Sequence, residues 1–128
     1  MLERNTIISS NVIRILKESA HPLSVSHVME SLARKDLNPN KATIYRILKK
    51  LIHKNELTEI TVRNGASYFE LKKDHHHHFI CNQCETAFCL DGCHVHAQNI
   101  DVSRLLPTKK FKIESHDFNV YGICEACT

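Results

Sequence analysis

Apolar residues in the first half of the chain recur at helical spacing in three separate runs. From about Glu3 to Ser19, Ile8, Val12, Ile15 and Leu16 fall on one side of a helix. A second run, Val25, Val28, Met29, Leu32 and Ala33, repeats at i, i+3, i+4, i+7 and i+8. Ser24 precedes it and can cap the helix, because a serine hydroxyl accepts from an N–H of the first turn. The third run is Ile44, Ile47, Leu48, Leu51 and Ile52. Here the sequence predicts Asn38 as the cap and Pro39 as the first helical residue, where a missing N–H costs nothing.

From Leu57 the period shortens toward two. Leu57 to Arg63 and Ala66 to Leu71 flank Asn64-Gly65, a pair suited to a two-residue type I′ turn, so a hairpin is predicted. Helix, helix, helix and hairpin in that order predict a winged helix-turn-helix, whose third helix meets base edges and whose hairpin touches phosphate.

In the second half the pattern is different. His76 to Ile80 and Ala87 to Leu90 read as strands, and a short helix is expected around Val95 to Leu105. Lys110 to Ile123 alternates around Phe111, Ile113, Phe118 and Val120, which predicts two strands turning at Ser115-His116-Asp117. The expected fold class is therefore α+β, with a winged-helix DNA-binding domain over residues 1–73 and a small mixed α/β dimerisation domain over 74–128. A small sheet with few residues to cover it suits a dimer interface.

Charge sharpens that division. Residues 1–73 carry 13 Lys and Arg against 7 Asp and Glu, whereas residues 74–128 carry 4 against 7. The basic half suits a polyanion such as nucleic acid. At 100° per residue, Thr43, Arg46, Lys49, Lys50 and His53 point away from the apolar stripe of the third helix, and Tyr45 lies at its border. That face is cationic and hydrogen-bonding, as a helix entering a major groove needs to be.

Cysteine and histidine supply the chemistry of the acidic half. Residues 81–84 read CNQC and residues 124–127 read CEAC. Each pair can grip one side of a tetrahedral ion, so Cys81, Cys84, Cys124 and Cys127 are expected to form one structural zinc site that closes the segment. The tract His75-His76-His77-His78 lies beside the first pair. In an extended strand it sends His76 and His78 to one face and His75 and His77 to the other, making two half-sites. Cys89, Cys93, His94 and His96 follow closely as further candidate ligands. Paired cysteines, with neither a signal peptide nor a long apolar run, point to a reducing cytoplasm and no membrane. A zinc hydrolase or deaminase would need an open coordination position with an acid or base beside it. Neither HExxH nor HxE with PCxxC occurs, so no enzyme and no small-molecule substrate is expected.

Together ATIYR (Ala42 to Arg46), YFEL (Tyr68 to Leu71), HHHHFICNQC (His75 to Cys84) and YGICEAC (Tyr121 to Cys127) resemble the ferric uptake regulator family over nearly the whole chain. The resemblance implies a homodimeric, metal-dependent repressor of metal-homeostasis genes that binds a palindromic operator in double-stranded DNA. It implies DNA contacts by Tyr45 and Arg46, beside Thr43 and Lys49 of the same face. It also implies a regulatory metal site of Glu70, His76, His78 and Cys89. Many relatives have a carboxylate where Cys89 stands, and a thiolate shifts preference toward zinc over iron or manganese. A zinc sensor is therefore expected, with an iron- or peroxide-sensing member as the alternative.

A peripheral site of some members resembles His75, His77 and His96, although its last ligand, a histidine just before CxxC, is Ile123 here. Glu85 stands where a glycine usually follows the first CxxC. His21, just before Pro22, lies slightly off the position of a sensing histidine in many relatives.

Overall fold

The structure, a computed structural model, describes residues 2–74, 76–90 and 102–128. The chain divides into two compact units, Met1–Lys73 and Asp74–Thr128.

Unit 1 contains helices α1 (Leu2–Glu18), α2 (Val25–Ala33) and α3 (Lys41–His53), followed by strands β1 (Leu57–Thr61) and β2 (Ser67–Leu71). The three apolar stripes meet in one core. Ile8, Val12, Ile15 and Leu16 from α1, Val25, Val28 and Leu32 from α2, and Ile44, Leu48 and Leu51 from α3 are buried together with Leu57 and Phe69. Ala33 ends its stripe in solvent. The α1–α2 connection is tied to the hairpin, because Leu23 and Phe69 exchange backbone hydrogen bonds of 2.9 and 2.7 Å.

The two interior helices begin on side-chain caps. Ser24 accepts from the His27 N–H at 3.2 Å, as its sequence position predicts. For α3 the expected cap is displaced by two residues. Asn40, not Asn38, accepts from the Thr43 N–H at 2.9 Å, and Pro39 lies outside the helix. Asn40 takes the extended backbone of a cap, with φ −75° and ψ 164°, and it also accepts from the Thr43 hydroxyl at 2.9 Å. One side chain thus satisfies two donors of the first turn.

α3 ends in a Schellman turn. Asn55 adopts φ 65°, its N–H donates to the Ile52 carbonyl, and the Glu56 N–H donates to that of Leu51.

The hairpin is present with Leu57 opposite Leu71 and Thr61 opposite Ser67. Its turn differs from the type I′ expectation. The Gly65 N–H reaches the Val62 carbonyl at 2.8 Å, and the Val62 N–H reaches that of Ala66 at 2.9 Å. Gly65 has φ +89°, but Asn64 does not enter the positive-φ region that type I′ requires at both centres. The loop is Arg63-Asn64-Gly65, a three-residue connection with glycine in the left-handed position. Asn64 instead uses its Oδ1 to accept from the Ala66 N–H at 3.0 Å.

Unit 2 contains β3 (His77–Cys81), β4 (Ala87–Leu90) and β5 (Asn119–Gly122), with 3-10 turns at Val102–Leu105 and Glu125–Cys127. The sheet order is β4-β3-β5, antiparallel between β3 and β4 and parallel between β3 and β5, so it is mixed. The two strands expected over Lys110 to Ile123 reduce to β5 alone. β3 already has a neighbour on each edge, so the alternating positions of residues 111–114 find no ladder there. Phe111 and Ile113 remain exposed. Of the helix expected around Val95 to Leu105, only the final 3-10 turn falls within the described residues.

Gly122 permits a close approach, since a Cβ at this position would sit 3.2 Å from the Phe79 ring. No helix among the described residues is long and apolar enough to cross a membrane.

Candidate metal centres and a cationic helix face

Two turns bring the cysteine pairs together. After β3 the chain folds back at once, with the Glu85 N–H donating to the Cys81 carbonyl at 3.0 Å and Glu85 itself at φ 61°. That left-handed backbone is what a glycine at this place would supply without strain. The parallel pairing of β5 with β3 sets Gly122 beside Cys81 and delivers Cys124 from the far end of the unit.

The Cys81, Cys84, Cys124 and Cys127 sulfurs all lie within 4.8 Å of one another, with Cys84 and Cys124 at 3.7 Å. Tetrahedral zinc with Zn–S bonds of about 2.3 Å would set its sulfurs about 3.8 Å apart. The cluster therefore has the dimensions and the donor chemistry of a four-thiolate zinc site.

Its electrostatics suit a cation as well. The backbone N–H groups of Cys84, Cys124 and Gln83 each point at the Cys81 sulfur from 3.4 Å, and they lower its pKa to about 6. Hydrogen bonding from Thr86 lowers that of Cys84. Cys127 is pushed up to about 12, first by its hydrogen bond to Cys124 and then by burial. Four sulfurs this close cannot all be anionic without a positive charge among them.

The histidine tract follows the expected alternation where it is described. His78 lies directly opposite Cys89 across the β3–β4 ladder, so the two side chains share a face. His76, just before β3, brings its ring to within 4.6 Å of that of His78. Ligand atoms of His76, His78 and Cys89 lie within 4.8 Å of one another. His76 Nδ1 is 2.7 Å from the Asp74 carbonyl. A carbonyl can only accept, so Nδ1 donates, and in the neutral ring this leaves the lone pair on Nε2, the tautomer that a hydrogen bond at the far ring nitrogen sets up in metal-binding histidines. Glu70, the fourth residue of the expected set, belongs to unit 1, on β2 opposite Thr58, with the Lys73 ammonium 3.7 Å from its carboxylate.

His77 faces the other way. It stacks on Phe118 with ring centroids 3.9 Å apart and lies 5.0 Å from the ring of His116. His116 was expected as part of a turn. Its proximity depends on the return of the chain toward β5, which spacing along the sequence does not reveal. His75, Cys93, His94 and His96 lie outside the described residues. His21 belongs to unit 1, where it lines a pocket of about 200 Å³ together with Glu70 and Lys73.

In unit 1 the outward side of α3 carries the expected cationic residues in unequal states. Arg46 is exposed, Tyr45 is 40% exposed, and Thr43 is half-buried with its hydroxyl donated to Asn40. Lys49 turns toward the hairpin, 3.3 Å from Glu59, whose other carboxylate oxygen accepts from the Ser67 hydroxyl at 2.8 Å. Lys49 therefore links α3 to β1.

Comparison with known proteins adds to this geometry. The profile of the ferric uptake regulator family matches residues 3–121. The ferric uptake regulation protein of Bordetella parapertussis is 31% identical over 112 residues, covering 87% of this chain and 78% of that protein. Among solved structures, the ferric uptake regulator of Helicobacter pylori, described as having three functional metal binding sites, superposes with a TM-score of 0.74. It shows 25% identity over 94% of this chain and 79% of its own. The iron-containing regulator from Francisella tularensis gives a TM-score of 0.76 at 19% identity, covering 94% and 90%, a likeness of fold.

Proposed function

This chain belongs to the ferric uptake regulator family, a family of metal-responsive transcription regulators and not of enzymes, and from that premise we propose that it is a zinc-sensing repressor. Unit 1 is the winged-helix DNA reader, with Thr43, Tyr45 and Arg46 on the operator and Lys49 bracing the hairpin. Unit 2 is the dimerisation domain, closed by structural zinc on Cys81, Cys84, Cys124 and Cys127. The protein acts in the cytoplasm as a homodimer on a palindromic operator of metal-homeostasis genes. Edge strand β5 supports the dimer, because it and its flanks leave Phe118, Val120 and Ile123 exposed.

The observation that carries the sensing role is the convergence of His76, His78 and Cys89 on one face of the sheet. Two imidazoles and a thiolate favour zinc over the harder iron and manganese ions. A regulatory divalent ion supplies a positive centre for these donors. His76 presents Nε2 because Asp74 holds its other nitrogen, and β-sheet register holds His78 against Cys89. Glu70 is the proposed fourth ligand, three residues before the end of unit 1. Its carboxylate couples the DNA-reading unit to the sensing donors and restricts the orientations the two units sample. Such coupling favours the DNA-competent state only through better coordination there, and about 100-fold preference corresponds to about 2.7 kcal/mol.

His77 and His116, with His75 and His96, are the proposed donors of a separate peripheral site.

The test is operator binding by protein that retains its structural zinc, titrated with zinc, iron(II) and manganese(II). Zinc is expected to raise affinity at the lowest free concentration, and Glu70→Gln is expected to reduce the response. Operator affinity independent of all three ions would overturn the sensing role.

A further inference from the structure

The cationic side of α3 has a second part that the operator-reading residues leave unexplained. Between α1 and α3 runs a cleft of about 500 Å³, walled by Ile13 and Ile47, with the Ser9 side chain on its α1 side. Arg46, Lys50 and Lys54 line it, at i, i+4 and i+8, so they form a single stripe. The ion pairs of Lys49 with Glu59 and of Lys73 with Glu70 involve none of these three cations, and among the described residues no acidic side chain lines the cleft.

Spacing identifies the kind of anion that fits. Eight residues of helix span about 12 Å. One DNA strand carries one phosphate per about 3.4 Å of duplex axis, so a stripe of this length can run along several phosphates of one strand. A single small anion cannot engage both ends of it.

We propose that the α1/α3 cleft is a backbone track, in which Arg46, Lys50 and Lys54 hold consecutive phosphates of one DNA strand beside the groove that the helix reads. The inference rests on the DNA-binding reading above and extends it from Arg46, already placed on the operator, to Lys50 and Lys54. Division of labour follows within one helix, since Lys49 is held by Glu59 while Lys50 and Lys54 are left for phosphate.

The experiment measures operator affinity against salt concentration, using the full-length, metal-loaded protein. Each phosphate contact contributes about 0.9 to the slope of log affinity on log salt. Lys50→Gln/Lys54→Gln is expected to make the slope shallower by about 1.8 per DNA-reading unit. Between 50 and 200 mM salt the variant would then lose about tenfold less affinity than wild type per DNA-reading unit, or about 150-fold less for the homodimer on its operator. Both lysines are exposed, and Lys50→Arg/Lys54→Arg is expected to restore the slope. Lys17→Gln, which removes a cation outside the cleft, is expected to run parallel to wild type.

A double glutamine variant parallel to wild type would overturn the track and leave DNA binding itself standing. Wild-type protein that binds no DNA would overturn both. Saturable binding of inorganic tripolyphosphate without DNA, together with an unchanged DNA slope in the variant, would reassign the cleft to a free anion.

Discussion

Removing the ion from the four-cysteine site should unfold one unit and spare the other. In unit 1, twelve buried apolar side chains from three helices and the hairpin form a continuous core. In unit 2, the described buried apolar residues other than cysteine are Ile80 and Ala87. Burying them contributes about 3–4 kcal/mol. A structural zinc site contributes on the order of 10 kcal/mol, so coordination outweighs burial by a wide margin. The sulfurs also hold the strand ends, because Cys81 ends β3 and Cys124 follows β5 by two residues.

The assay is amide hydrogen exchange before and after treatment with a strong chelator, with metal content measured in parallel. The Asn82 N–H, bonded to the Gly122 carbonyl at 2.7 Å, and the Cys81 N–H, bonded to that of Thr86 at 3.0 Å, report directly on closure of unit 2. Both are expected to lose protection on metal removal, while the Phe69 N–H, bonded to Leu23 at 2.7 Å in unit 1, keeps it. Protection at Asn82 and Cys81 that survives in demonstrably metal-free protein would refute the reasoning, since burial alone would then suffice.

Three further outcomes follow from the geometry. Cys89→Ser is expected to lower zinc affinity at the His76/His78 cluster by at least about 100-fold, beyond the usual cost of losing a hydrogen-bond partner behind a ligand, and to abolish the thiolate-to-metal absorption of the cobalt-substituted protein there. Asn40→Ala is expected to cost about 1 kcal/mol, a fall of about 4–8 °C in the melting of unit 1, while Asn38→Ala stays within about 0.5 kcal/mol; equal effects would contradict the cap seen at Asn40. Gly122→Ala places a methyl 3.2 Å from the Phe79 ring and is expected to destabilise unit 2 by about 1–3 kcal/mol, read from the chelator concentration needed to open it.

The parts of the fold legible in the sequence are those governed by local periodicity. Stripes such as Val25, Val28 and Leu32 bury because a helix returns them to one face, and nothing distant is needed to say so. The Ser24 cap is local in the same sense. Local rules fail where two neighbouring residues satisfy the same rule. Asn38 and Asn40 can both cap, and only the latter's contacts with Thr43 decide between them. Asn64-Gly65 permits a type I′ turn, yet the Val62 to Ala66 bonds select a longer loop in which only the glycine needs positive φ. The alternation around Phe111 and Ile113 has the right period for a strand but finds no free edge on β3.

The candidate sites show the same boundary between local and distant information. Two CxxC pairs announce a shared ion, because each pair already supplies half a tetrahedron, but 39 residues separate Cys84 from Cys124, and only the parallel pairing of β5 with β3 brings them to 3.7 Å. His78 and Cys89 illustrate the stricter case. Their meeting depends on strand register, and a slip of one residue would turn Cys89 to the opposite face, beside His77 and Phe118. The register is set by the tight turn from Cys81 to Glu85, the same turn that aims the Gln83 and Cys84 N–H groups at the Cys81 sulfur, beside that of Cys124. The two sets of donors are thus not independent: the backbone that shapes the four-cysteine cluster determines which side chains reach the other. An ion lost from the four cysteines should therefore abolish binding at His76, His78 and Cys89 as well, whereas Cys89→Ser should leave the four-cysteine site filled. That asymmetry can be read by metal counting alone, and two sites that empty independently would contradict it.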